Sequence, residues 1–351
     1  MRLNALLRPL FFLSAATLAA CGSAPPATPA ASPAVPSQAA PSSPPAPAPI
    51  KVGIALGGGA AKGFAHIGVI KMLEANGLAP AVVAGTSAGS VVGALYANGM
   101  NAFELQEKAV ALDEAKIRDL QLSSGGLVLG QKLEDYVNAQ VRNKPIEQLA
   151  KPFAAVATRL EDGERTVFTR GNTGQAVRAS SSIPGVFQPV AIGKYHFVDG
   201  GVVSPVPVDA ARQLGADIVV AVDISNKARG QTPAGMLGTL GQSIAIMGQK
   251  LGQAELTRAD VVIRPQVLDI GAADFTQRAS AILEGEKAAL AAMPQIRERV
   301  AQLQAERARA AQLAREQAAQ ALHQACLEQR SRLQKLAGMA GLGDSCPAAA
   351  P

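Results

Sequence analysis

The chain has 351 residues, 48% of them hydrophobic and 17% charged, which is length enough for one large domain or two small ones. Its net charge of +6 invites a nucleic-acid partner, but the basic residues are scattered, Trp is absent and aromatics make up 3%, so stacking platforms are scarce and that class is set aside. A basic surface facing anionic lipid head groups is the milder reading.

In chain order, Arg2 and Arg8 form a positive start, and Leu10 to Ala19 is an apolar run too short to span a bilayer. The run ends in Leu18-Ala19-Ala20-Cys21-Gly22. This resembles the lipobox of bacterial lipoproteins, which implies a signal peptide over 1–20 and acylation of Cys21; an ordinary secretory signal with a chance cysteine is the alternative. Two or more acyl chains hold a protein firmly on a membrane. Gly22 in place of an aspartate after the cysteine implies the outer membrane, so the expected location is the bacterial envelope, on its periplasmic face. Ten of the 28 residues from Gly22 to Pro49 are proline and Val35 is the sole large apolar one, too little to offset the entropy of ordering. Residues 21–49 are expected to be an extended tether, reaching about 80 to 90 Å at about 3.1 Å per residue.

The folded part begins at Ile50. Lys51 to Leu56 reads as a buried strand, followed by the loop Gly57-Gly58-Gly59-Ala60-Ala61-Lys62-Gly63. Ile67, Ile70 and Leu73 place a helix over His66 to Ala75, closed by Asn76-Gly77. Ala81 to Ala84 is a second strand, and Gly85-Thr86-Ser87-Ala88-Gly89 turns it into a helix from Ser90 to Asn98. Phe153 to Thr158 is a strand that pairs with Glu164 to Thr169 across Asp162-Gly163, and Ala176 to Ser181 is a helix stopped before Pro184. Tyr195 to Val198 leads into Asp199-Gly200-Gly201; Ile218 to Val222 and Val261 to Arg264 are late strands. Strands alternating with helices predict a three-layer α/β/α sandwich with a mainly parallel central sheet. From about Glu284 to Lys335 the chain is rich in Ala, Gln, Glu and Arg and predicts a helical tail, with Pro294 as a break near its start and the last residues frayed. No strict heptad runs through it. With Cys21 taken by lipid, Cys326 and Cys346 are left in a compartment where disulfides persist; they are expected to pair, two free thiols being the alternative.

The chemistry lies in three runs. Ser87 sits in Gly-x-Ser-x-Gly between an apolar strand and a helix, where glycines allow a sharp bend and the helix start favours negative charge. A Ser–acid–His order needs a histidine after the acid. His66 precedes the serine and His196 precedes Asp199, so such a triad would have to use His323 in the tail. Asp199 is the better base: a carboxylate accepts a serine proton when desolvated and within hydrogen-bond reach. A base this weak requires strong oxyanion stabilisation, and the glycine loop offers backbone amides for it. The loop lacks the Gly-Lys-Ser/Thr ending of a phosphate-binding P-loop, and Lys62 breaks the dinucleotide fingerprint.

These runs, together with Gly63 to Ile70, Ala179 to Phe187 and Asp199 to Val219, resemble the patatin-like phospholipases of the bacterial branch related to neuropathy target esterase. The resemblance covers about Val52 to Asp223. It implies Ser87 as nucleophile, Asp199 as base and an oxyanion hole from Gly58 and Gly59, framed by Gly57, Lys62, Gly63, Gly85, Gly89, Gly200 and Gly201. It implies a serine esterase acting on phospholipid or lysophospholipid acyl esters with no metal or cofactor. Ala60 stands where the family has glycine, and Lys62 where it usually has arginine. Ser180 to Ser182 read as helix-end and packing residues. The glycines and apolar residues of Ser123 to Gly130 suit either a lid or a plain connecting loop. The resulting division is signal 1–20, tether 21–49, hydrolase domain 50–283 and helical extension 284–351. A silent lipid- or partner-binding module on the same fold and a general carboxylesterase are the competing functions.

Overall fold

A computed structural model describes residues 48–113, 119–123, 126–225, 235–337 and 346. The expected signal peptide over 1–20, Cys21 and the expected tether up to residue 47 lie outside the described residues, as does the centre of the 123–130 segment.

Strand β1 (Val52–Leu56) leads through a 3-10 turn (Ala60–Phe64) to α1 (Ala65–Ala75), then β2 (Val82–Thr86) and α2 (Ala88–Ala97). α3 (Ala102–Ala111), a hairpin of β3 (Leu120–Ser123) and β4 (Gly126–Val128), and α4 (Gln131–Gln140) follow. β5 (Phe153–Arg159), β6 (Arg165–Phe168), α5 (Thr173–Ser180), β7 (Val190–Ile192) and β8 (Tyr195–Asp199) come next. The chain closes with α6 (Val208–Gln213), β9 (Ile218–Val222), α7 (Gly235–Leu256), β10 (Val261–Ile263) and α8 (Arg278–Ala337).

The main sheet runs β10-β9-β1-β2-β5-β8-β7, with β6 on the other edge of β5. β10, β9, β1, β2 and β5 are parallel, and β6, β7 and β8 add antiparallel pairs. The two-residue period of the strands separates two cores. Ile54, Leu56, Val83, Phe153 and Val222 face α1, α2 and α8, whereas Ala55, Ala84, Ala154 and Ala221 face α6, where small side chains admit the helix closely. Helices on both faces of a mostly parallel sheet are the layered architecture that the strand-helix alternation predicts.

Three features of the topology place the site. β1 is flanked by β2 on one side and β9 on the other, so the chain leaves it toward opposite edges, and the crevice beyond its carboxyl end is where open α/β sheets bind ligands. The glycine loop and Ser87 both follow strands ending there. Finally, β2 pairs with β5 through Thr86↔Val156, and β8 takes over the same edge of β5 from Ala157↔Asp199. Ser87 and Asp199 therefore meet where one strand stops and the next begins.

The tail departs from expectation. α8 starts at Arg278 and runs through Pro294 without ending. Proline removes a hydrogen bond to the carbonyl four residues back, here Leu290. Both residues face solvent, where water takes the freed carbonyl, while buried Ala289, Met293 and Ile296 hold the inner face against the core. Beyond Arg307, which pairs with Asp217, the helix is mostly exposed. Cys326 and Cys346 are joined by a disulfide.

Candidate active site

The Ser87 backbone is the first sign of a special position. Its φ of 54° and ψ of −125° lie in a region that L-residues rarely adopt, and it caps the N-terminus of α2. Tight packing holds the bend. A Cβ on Gly89 would come 2.1 Å from the Leu56 carbonyl, and one on Gly63 would come 2.7 Å from the Ala88 Cβ. Gly85, paired between Leu56 and Ala155, leaves the same room for the Gly89 carbonyl. The Ser87 amide donates to Ser180 Oγ at 2.9 Å, and Ser180 in turn donates to the Val156 carbonyl. Ser90 Oγ donates to the Ser87 carbonyl at 2.7 Å. The Ser87 turn is thus fixed at both peptide groups.

Ser87 Oγ donates to Asp199 Oδ2 at 2.5 Å. The other carboxylate oxygen accepts the Gly201 amide at 2.7 Å, and Thr158 Oγ1 donates to the Asp199 carbonyl. Gly200 permits this turn, since a Cβ there would strike the Val156 carbonyl at 2.1 Å. Asp199 is buried, and loss of water pushes its pKa up to about 6 against the lowering effect of Ser87 and Gly201. A carboxylate so placed is a stronger base than one in water and remains ionised at neutral pH.

The glycine loop lies against the serine: a Cβ on Gly58 would be 3.2 Å from the Ser87 Cβ. Its amides are not all free. Gly57 N–H donates to the Val222 carbonyl and Gly58 N–H to the Pro205 carbonyl, each at 3.0 Å. Of the expected pair, Gly58 thus spends its amide within the protein, whereas the amides of Gly59 and of the next residue, Ala60, have no acceptor among the described residues. Ala60 holds φ +51°, a left-handed backbone that explains why glycine suits this place. Lys62 is buried in the 3-10 turn, its amide on the Gly59 carbonyl.

The histidines stand apart from this chemistry. His66 is fully buried and its Nε2 donates to the Gly57 carbonyl at 2.8 Å; burial lowers its pKa to about 4, so it stays neutral and braces the loop. His196 is solvent-facing and pairs with Glu161. His323 sits on the distal part of α8.

Two cavities share Ser87. One of about 400 Å³ is bounded by Gly59, Asp199, Pro205 and the α7 residues Ala245 and Gly248. The other, about 430 Å³, is apolar, with Val91, Leu133, Tyr136, Val186 and Phe275 on its walls. Val128 lines the second and is tied to Val186 and Gln188 by backbone bonds of 2.9 Å, so the end of the 123–130 segment forms cavity wall.

Residues 54–212 match the family model described as Patatin-like phospholipase. The chain carries a domain of the patatin-like phospholipase family. An uncharacterized NTE family protein of Mycobacterium tuberculosis is 36% identical over 182 residues, 51% of this chain and 51% of that protein. Human patatin-like phospholipase domain-containing protein 6 is 32% identical over 184 residues, 50% of this chain and 13% of the relative. The chain thus spans about half the length of the mycobacterial relatives it matches. VipD from Legionella pneumophila shares the fold, with a TM-score of 0.50 at 15% identity over 70% of this chain and 67% of that one. The match runs from Ile54 within β1 to Arg212 within α6, and so takes in both Ser87 and Asp199. Sequence reasoning named Ala60 only as a departure from the family and Ser180 only as a helix-end and packing residue, and it missed the α7 wall. The run Ala179 to Phe187 carried a signal for Ser180.

Proposed function

We propose that this protein is a serine lipid acyl hydrolase, of phospholipase A or lysophospholipase type, working through a Ser87–Asp199 dyad. One observation carries the reading: a serine on a strained turn donates to a buried carboxylate at 2.5 Å, at the junction of a polar-edged cavity and an apolar one. Asp199 takes the Ser87 proton as Oγ attacks the ester carbonyl. The Gly59 and Ala60 amides, aided by the N-terminal end of α2, stabilise the oxyanion. Asp199 returns its proton to the departing alcohol, leaving an acyl-serine. Water, deprotonated by Asp199, then cleaves that ester and restores the dyad. The apolar cavity suits a fatty acyl chain, and the cavity bounded by Asp199 and α7 suits the alcohol half.

The assay is release of fatty acid from lysophosphatidylcholine and from short nitrophenyl esters by the purified protein. Turnover of both is expected, higher on the lipid, with a loss of about 10³-fold or more in Ser87→Ala. Preference for short esters favours a general carboxylesterase, and no turnover of either favours the silent binding module.

We also infer that Cys21 is acylated and holds the protein on the bacterial envelope, at the periplasmic face of the outer membrane, through the 21–49 tether. The sequence around Cys21 carries this reading, and the Cys326–Cys346 disulfide suits an oxidising compartment. Full-length protein made in a bacterial host is expected in the membrane fraction, and Cys21→Ser in the soluble one; equal partition of the two overturns it.

A further inference from the structure

The dyad leaves one deeply buried carboxylate unused. Glu255, near the end of α7, is 4% exposed and lines neither cavity. Its Oε1 accepts the Ser204 hydroxyl, and its Oε2 accepts the Val206 amide at 2.9 Å. The carbonyls of the intervening stretch point back to the site. That of Ser204 accepts Thr86 Oγ1 at 2.8 Å, immediately before the nucleophile. That of Pro205 accepts the Gly58 amide at 3.0 Å, immediately before Gly59. The arch starts from the Asp199 loop as well, for the Ser204 amide donates to the Gly200 carbonyl at 2.7 Å. One side chain of α7 therefore ties together the base loop, the nucleophile turn and the glycine loop.

Burying a carboxylate is costly unless its oxygens are satisfied. Burial pushes the Glu255 pKa up to about 7, moderated by its two donors and by Arg165 of β6 and Arg258 beyond α7. Both arginines are also paired with Asp209 of α6. A glutamate kept there at that cost calls for a function beyond filling space. We propose that Glu255 is a positioning residue for the Ser87 site: by holding Ser204 Oγ and the Val206 amide, it fixes where Ser87 and the Gly59 amide stand. The proposal rests on the hydrolase reading above and deepens it.

The test compares Glu255→Ala and Glu255→Gln in the full chain by ester kinetics and by hydrogen exchange resolved by peptide. Misplacing a reacting group by about 1 Å costs on the order of 100-fold, so Glu255→Ala is expected to lower kcat by about 30- to 100-fold with KM within about threefold. Glutamine can accept the Val206 amide through its oxygen and donate to Ser204 Oγ, so Glu255→Gln is expected to stay within about fivefold of the parent. Exchange in Glu255→Ala should quicken over residues 54–64 and 82–91 and stay unchanged over 153–159 and 218–222. Parent-like kcat and protection in Glu255→Ala overturn the proposal. So does an equal loss in the glutamine variant, or faster exchange across all four segments, which marks general unfolding. Absence of turnover in the parent itself overturns only the hydrolase reading; the exchange results, which need no turnover, then decide the positioning role.

Discussion

At the scale of single residues, the proposed chemistry turns on Asp199. As a base it works ionised, so kcat/KM should rise with pH through about 6 and reach a plateau above it. Its linkage to stability has the opposite sign. The folded state raises this pKa above the ordinary 3.8, so the fold favours the neutral acid. That stabilising effect is complete at low pH and is lost as pH rises through about 6. Asp199→Asn removes the buried charge, and at pH 8 it should stabilise the protein by on the order of 2 kcal/mol while lowering turnover by about 10² to 10⁴-fold. Thermal unfolding and ester kinetics on the same preparation check both; a variant both less stable and still active contradicts the assignment. Ser87 and Asp199 were legible because each lies in a short run with glycines around it. The amides proposed to hold the oxyanion were not. Whether the Gly58 amide is free depends on Pro205, far along the chain, whose carbonyl takes it.

At the scale of elements, β1, β2, β5 and β9 could be read directly, since strands buried on both faces are continuous apolar runs. α7 could not. Five of its 22 residues are glycine, each costing about 1 kcal/mol of helix propensity relative to alanine. Tertiary contacts override that bias: Gly248 and Gly252 lie over Pro205, with room for an added Cβ at ordinary contact distances of 3.8 and 3.7 Å from its ring, and Glu255 anchors the end. Pro294 misled in the opposite direction. It reads as a helix break, yet the inward-facing Ala289, Met293 and Ile296 keep α8 continuous around it. Because an interior proline costs about 3 kcal/mol, and this one is exposed, Pro294→Ala should raise stability by about 1 to 3 kcal/mol without changing kcat. A lower melting temperature would mean that α8 needs the proline to fit the core.

At the scale of the whole molecule, the fold assembles the parts that the proposed dyad needs. The sheet delivers three separate chain segments to one crevice: a glycine loop after β1, a serine after β2 and an aspartate from β8. α7 closes that crevice from one side and, through Glu255, holds the arch that spaces the segments. An apolar cavity and a more polar one meet at the serine, which matches the two halves of an amphipathic ester. The central claim is that Ser87 is an activated nucleophile with Asp199 as its base. Reaction with a fluorophosphonate probe, located by peptide mass spectrometry, tests it most directly. One adduct is expected, on Ser87, formed at least about 100-fold more slowly in Asp199→Asn. A folded protein that takes up no probe, or labels equally fast without the aspartate, contradicts it.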